Sequence, residues 1–156
     1  MSLESVRAFL AEKAPDLHVI ESEGSTATVL EAAQVHGVEP GRIAKTLAFR
    51  GPDERAFLVV VRGDARIDNA KMKAAFNGRT KMLDPAQVLA LTSHPVGGVC
   101  PFGLATPLPV HCDVSLRAFD EVVPAAGATN SAVRLSPERL AELTGATWVD
   151  VCQPVV

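Results

Sequence analysis

The stretch that most restricts this chain is the pair of segments flanking the turn Gly51-Pro52-Asp53-Glu54. After the turn, Ala56 to Val61 is an unbroken apolar run, the pattern of a central strand buried on both faces of a covered sheet. Before it, Arg42 to Arg50 alternates, with Ile43, Lys45, Leu47 and Phe49 on one face and Ala44, Thr46 and Ala48 on the other. Lys45 is the anomaly. A lysine between Ile43 and Leu47 either snorkels to solvent or sits at a cleft where its charge has a partner, because burying it unpaired is costly.

Helical signals surround these strands. Ser2 caps a helix with Leu3, Val6, Phe9, Leu10 and Ala14 at helical spacing, stopped by Pro15. A short strand is expected over Leu17 to Glu21, and Thr28-x-x-Glu31 has the spacing of a capping box for a second helix that ends at Gly37. On that helix His36 shares a face with Val29, Ala32 and Ala33 and reads as a packed histidine. Asp68 and Asp84-Pro85 open two more helices, and Ser136-Pro137 opens the last. Strands are expected at Leu108 to Cys112, Glu121 to Ala125, Ala132 to Leu135 and Thr147 to Cys152, with a helical turn over Ser115 to Phe119. The sum is an α/β (α+β) fold over residues 1–156: one domain, a mixed sheet curled toward a partial barrel, with flanking helices.

His94-Pro-Val-Gly-Gly-Val-Cys-Pro-Phe-Gly-Leu104 cannot be regular helix or interior strand. Gly97 and Gly98 let backbone amides approach a bound group, while Pro95 and Pro101 stiffen entry and exit, so the loop is either a seat for a carbonyl or oxyanion or a tight turn filled by Val99 and Phe102.

Composition removes several classes of function. No uncharged apolar stretch reaches the roughly 18 residues of a membrane span. Met1 to Ala14 carries Glu4, Arg7, Glu12 and Lys13, which excludes a signal-peptide core and predicts a cytoplasmic protein. Cys100, Cys112 and Cys152 are odd in number and far apart, so reduced thiols are expected. The four histidines are scattered, and neither a metal site nor another cofactor is indicated. A net charge of −3 argues against a non-specific nucleic-acid coat or a DNA-binding role. Yet Arg62 to Lys81, with Arg62, Arg66, Lys71, Lys73, Arg79 and Lys81 against Asp64 and Asp68, has a local balance of +4.

Several motifs then occur together. Thr28-Val-Leu-Glu-Ala-Ala33 with Gly37-Val38, Lys45-Thr46-Leu47, Leu58 to Val61 with Gly63-Asp64, Val96 to Gly103 and Arg134-Leu-Ser-Pro137 stand in the order found in YbaK/prolyl-tRNA-synthetase-associated domains, which the chain resembles over nearly its whole length. The resemblance implies a free-standing aminoacyl-tRNA deacylase in translation quality control, acting on the acceptor end of a mischarged tRNA, commonly a small amino acid on proline tRNA, with an aminoacyl-tRNA synthetase as possible associate. It puts the essential lysine on Lys45 and the family's G-x-x-x-P loop on Gly97 to Pro101, so that Gly97, Gly98, Val99 and Cys100 bind substrate, with amides near Gly98 and Val99 receiving the carbonyl oxygen. Thr28 and Asn130, with Ser131, fall at pocket positions; some members carry an aromatic residue where this chain has Thr28. An activated ester needs orientation and oxyanion stabilisation rather than a metal or protein nucleophile. Two alternatives stand beside this reading: a module that binds aminoacyl-tRNA or an aminoacyl-adenylate without hydrolysis, and a cysteine hydrolase using Cys100, for which spacing places no histidine. If tRNA is bound, Arg62 to Lys81 is the expected surface.

Overall fold

A computed structural model describes residues 2–155. Its helices are α1 (Ser2–Lys13), α2 (Val29–His36), α3 (Asn69–Ala75), α4 (Pro85–Thr92) and α5 (Pro137–Thr144). Its strands are β1 (Ile20–Glu21), β2 (Ile43–Arg50), β3 (Ala56–Arg62), β4 (Lys81–Met82), β5 (Val110–Asp113), β6 (Val123–Pro124), β7 (Ser131–Ala132) and β8 (Thr147–Val149). The expected helix starts are present: Thr28, Asp68, Asp84 and Ser136 each accept a hydrogen bond from an amide in the first helical turn. Gly37 ends α2 at φ 65° and Gly145 ends α5 at φ 64°, left-handed positions that suit glycine.

Sheet order is β4-β2-β3-β5-β8, with β6 also paired to β2, and β1 pairs separately with β7. β2–β3 and β2–β4 are antiparallel, whereas β2–β6, β3–β5 and β5–β8 are parallel, so the sheet is mixed; it does not close into a barrel. The apolar run is the central strand that its composition requires: Leu58, Val59, Val60 and Val61 are fully buried. Leu58 and Val60 face a core made with Val6 and Leu10 of α1, Leu140 of α5, and Cys100 and Phe102 of the glycine loop. Val59 and Val61 face the other side, with Phe49, Phe57, Met72, Val151 and Cys152. Helix α2 packs Ala32 and Ala33 on Ile43, Val123 and Ala132 at the β6 end of β2.

Several strands are shorter than their patterns suggest. β1 and β7 span two residues each, and the closing strand stops at Val149, after which Cys152 bridges to Ile67. The C-terminal segment is instead held by a side chain. Asp113, fully buried at the end of β5, accepts from Val151 N–H at 2.7 Å and Ser115 N–H at 2.9 Å. Asp113→Ala is expected to destabilise the protein by about 2–3 kcal/mol, since two charge-assisted bonds vanish and a buried amide loses its acceptor. In urea unfolding this appears as a lower midpoint at unchanged m-value.

Candidate functional site

The site is built on an incompletely paired strand edge. β2 is paired to β3 along one edge from Ala44 to Arg50. Its other edge has partners only near the ends: β6 at Ile43 and Ala44, and β4 at Phe49 and Arg50, with Leu83 N–H donating to Ala48 C=O at 3.0 Å. Main-chain groups of alternate strand residues point to opposite edges. Thr46, two residues before Ala48, therefore turns its N–H and C=O toward the open part of this edge. Over the gap lies a cavity of about 330 Å³, walled by β2, the start and inner face of α2, the β6 and β7 regions, α4 and the glycine loop.

Most of its wall is alanine, valine and leucine, and among the described residues Lys45 is the one charged side chain in it. Lys45 is half-buried, and its Nζ donates to the Ala65 carbonyl at 2.7 Å in the turn that follows β3. No carboxylate lies within 4.0 Å of it among the described residues. Burial pushes the ammonium below the ordinary lysine range; Asp64 opposes that shift and Arg66 adds to it. Strand alternation offered solvent or a cleft for Lys45; the residue lines the cavity, and its ammonium is bonded to the Ala65 carbonyl, which is not part of the wall.

Thr28 lies in the same wall as the N-cap of α2, and its hydroxyl is committed to the capping box with Glu31. Two further wall residues escaped the sequence reading. Thr46 Oγ1 and His36 Nε2 are buried without a hydrogen-bond partner. Burial, with the nearby Arg134, pushes the His36 imidazole toward its neutral form. Helical periodicity did place His36 beside Val29 and Ala32, which also line the cavity; nothing in the sequence shows that this face is hollow.

The glycine loop is pinned from several directions. His94 Nε2 lies 2.7 Å from the Phe102 carbonyl, and Phe102 packs on Phe9 of α1 at 5.8 Å between ring centroids. Gly98 donates to the Pro95 carbonyl at 2.8 Å and accepts from Gly127 N–H at 3.0 Å. A Cβ at Gly98 would come within 2.8 Å of the Ala128 nitrogen, and one at Gly97, where φ is +92°, within 2.8 Å of Ala27 Cβ. These positions demand glycine because the loop lies directly on its neighbours. The Gly98 amide is therefore spent inside the loop, contrary to the expected oxyanion role, while Val99 N–H has no acceptor among the described residues.

Of the residues singled out by sequence, Thr28, Lys45, Gly97 and Val99 meet in the cavity wall, as does Ser131. Gly98 and Cys100 lie behind it as loop supports, and Asn130 faces away, donating to the Ser22 carbonyl at 3.0 Å. Folding also brings His94 Nε2 to 3.6 Å from Cys100 Sγ, a proximity that spacing did not give. The pair is not an activated nucleophile: Cys100 is fully buried, burial pushes its thiol up to about 12, and the His94 ring nitrogen is engaged with Phe102.

Comparison with known proteins gives this geometry a context. The model of the aminoacyl-tRNA editing domain matches residues 23–143. The chain belongs to that family. It is 47% identical over 154 residues, 98% of each chain, to the uncharacterized protein YwhH of Bacillus subtilis. It is 28% identical over 120 residues, 76% of this chain and 73% of the other, to EbsC of Enterococcus faecalis, named as a candidate Cys-tRNA(Pro)/Cys-tRNA(Cys) deacylase. A crystal structure described as a candidate trans-editing enzyme for prolyl tRNA synthetase superposes with a TM-score of 0.91 at 36% identity, covering 98% of both chains. The editing-domain fold thus accounts for the mixed sheet and its flanking helices, and among the described residues no helix is long and apolar enough to cross a membrane.

Two outcomes test how the loop is held. Gly98→Ala should cost about 1–3 kcal/mol in chemical denaturation, because the added methyl meets backbone that has no room to yield. Cys100 should resist a thiol reagent in the native protein and react only at the rate of unfolding; rapid stoichiometric labelling would show an accessible thiolate instead.

Proposed function

We propose that residues 1–156 act as a cytoplasmic trans-editing hydrolase that cleaves the ester between a small, uncharged amino acid and a mischarged tRNA, the tRNA being that for proline. The observation that carries this reading is the pairing of one cation, Lys45, with an otherwise neutral and mainly apolar cavity beside a rigid glycine loop. Its volume of about 330 Å³ is at the lower end of ligand sites, which run from about 300 to 1,000 Å³. With no carboxylate in the wall, a basic substrate side chain would be buried unpaired, so basic amino acids are rejected. The deacylase activity named for EbsC and the trans-editing role named for the similar structure support a tRNA ester as substrate.

Each group then has a role. The open Thr46 peptide offers one donor and one acceptor that orient the aminoacyl group, as an edge strand orients an added strand. Lys45 offsets negative charge that builds on the ester as water or the ribose's own hydroxyl attacks, and the Val99 amide receives the carbonyl oxygen. Cys100 and Gly98 keep the loop in shape from behind. Neither a protein nucleophile nor a metal takes part, because the ester is already activated.

Single-turnover deacylation of a panel of mischarged tRNAs tests this. Lys45→Ala should lower the rate on the order of 10²- to 10³-fold with the fold intact, and Lys45→Arg nearly as much, since a planar guanidinium cannot replace a compact ammonium. Cys100→Ser should keep much of the activity. The pH profile carries a sign. Because burial lowers the lysine pKa, Lys45 loses its proton earlier than an exposed lysine as pH rises. After correction for spontaneous hydrolysis, the wild-type advantage over Lys45→Ala should be constant near neutrality and shrink on the alkaline side. Wild-type rates in both Lys45 variants overturn the assignment, and tight binding of aminoacyl-tRNA without turnover by the wild type makes the protein a sensor instead.

A further inference from the structure

We infer that a second, basic cleft beside the cavity binds the phosphodiester backbone of the nucleotides that precede the ester-bearing end of the tRNA; this rests on the editing reading above. The cleft measures about 510 Å³ and is lined by Arg50, Arg79 and Lys81, with Glu54 as its one carboxylate. It shares Met82 and Leu83 with the cavity wall, so the two spaces are neighbours across one short segment of chain.

Its charge arrangement is unfavourable without a ligand. Arg50 and Lys81 are register partners across β2 and β4, and like charges directly opposite in an antiparallel pair repel. Neither they nor Arg79 forms an ion pair among the described residues; Arg50 instead donates to the Glu54 carbonyl at 2.6 Å. Most arginines elsewhere are neutralised, as in Arg42–Asp120, Arg62–Asp64, Arg134–Glu121 and Arg139–Asp16, Arg66 being the exception among the described residues. Three cations gathered against one carboxylate, two of them face to face, form a surface that an anion stabilises. The cleft walls are fixed, because Gly78 sits so near the Gly51–Glu54 turn that a Cβ there would lie 2.9 Å from Pro52 Cγ.

Position identifies the anion. A tRNA whose terminal ester enters the cavity carries its next phosphates out over the exposed rim, and Met82, exposed and in the wall of both spaces, links that rim to the cleft. Arginine's fork suits phosphate oxygens, and a phosphodiester chain supplies charge at successive positions. The basic run Arg62 to Lys81 is thereby divided. Arg62 is locked to Asp64 and Lys71 is held by Asp150 and the Cys152 carbonyl; of the other cations of the run, Arg66 and Lys73 lie outside the cleft, whereas Arg79 and Lys81 line it and are the RNA contacts.

The test compares the wild type with Arg79→Gln/Lys81→Gln, and with Lys73→Gln as a cation of the same run that does not line the cleft. Binding of uncharged tRNA is measured across a salt series. The double variant should bind on the order of tenfold more weakly, with a slope of log K against log salt shallower by about 2, while Lys73→Gln matches the wild type. Single-turnover deacylation is then compared on mischarged tRNA and on the same aminoacyl ester of adenosine, which has no phosphate. The ratio of the first activity to the second should fall at least tenfold in the double variant. Unchanged tRNA affinity and salt slope overturn the inference, as does equal loss on both esters, which would make Arg79 and Lys81 supports of the cavity. Loss of binding to an acidic polypeptide with tRNA binding intact would overturn it in favour of a protein partner. If the wild type cleaves neither ester, the editing reading fails, and the salt series still decides the cleft.

Discussion

The site depends on one unfinished strand edge. A strand inside a sheet normally spends the hydrogen-bonding capacity of both edges on its neighbours. β2 does so toward β3, but toward the other side it is covered only by the two-residue strands β6 and β4. Between them Thr46 keeps a main-chain donor and acceptor free, and an open hydrophobic edge of this kind would ordinarily invite pairing with another chain. Here α2, α4 and the glycine loop close over it and leave a small cavity instead. The shortness of β4 and β6 is therefore what makes room for a ligand.

Rigidity around that gap comes from contacts remote from it. His94 and Phe102 clamp the glycine loop to α1, Gly98 is bonded to both Pro95 and Gly127, and Arg134 holds the His36 carbonyl at 2.6 Å at the far end of α2. A site that stabilises developing charge gains most when its dipoles are fixed before the substrate arrives. Lys45 shows the opposing cost. Its ammonium is half-withdrawn from water with one carbonyl as partner, an arrangement that folding alone does not favour.

What the sequence revealed was local, and what it hid was long-range. The hairpin, the four capped helices and the central strand follow from periodicity and end signals over a few residues, as does the oddity of Lys45 on an apolar face. β4 is two residues long and carries no periodic signal, so the pairing that sets Arg50 against Lys81 could not be read. Thr46 read only as sharing a strand face with Ala44 and Ala48, and its place beside the open edge appears only once the missing partner strand is known. His36 read as packed because helical spacing gives a face but not whether that face meets solid core. The glycine loop was legible as a shaped turn, while the hydrogen bond that removes Gly98 from the amide donors was not.

The charge pattern makes physical sense once the cavity and the cleft are separated. Recognition of a wrong amino acid is weak per contact, because a methylene difference in an apolar pocket gives only about 10- to 200-fold discrimination. The cavity therefore needs a neutral, close-fitting wall, and surplus cations there would bind every tRNA ester alike. Phosphate contacts raise affinity without regard to the amino acid and belong outside. On the proposed reading, a net acidic protein with a few uncompensated cations beside the cavity would hold tRNA loosely and release it after hydrolysis, whereas a basic surface throughout would retain correctly charged tRNA as well. On that reading the overall charge of −3 and the local cluster at Arg50, Arg79 and Lys81 would serve one requirement: brief, oriented contact with a polyanion whose far end alone is inspected.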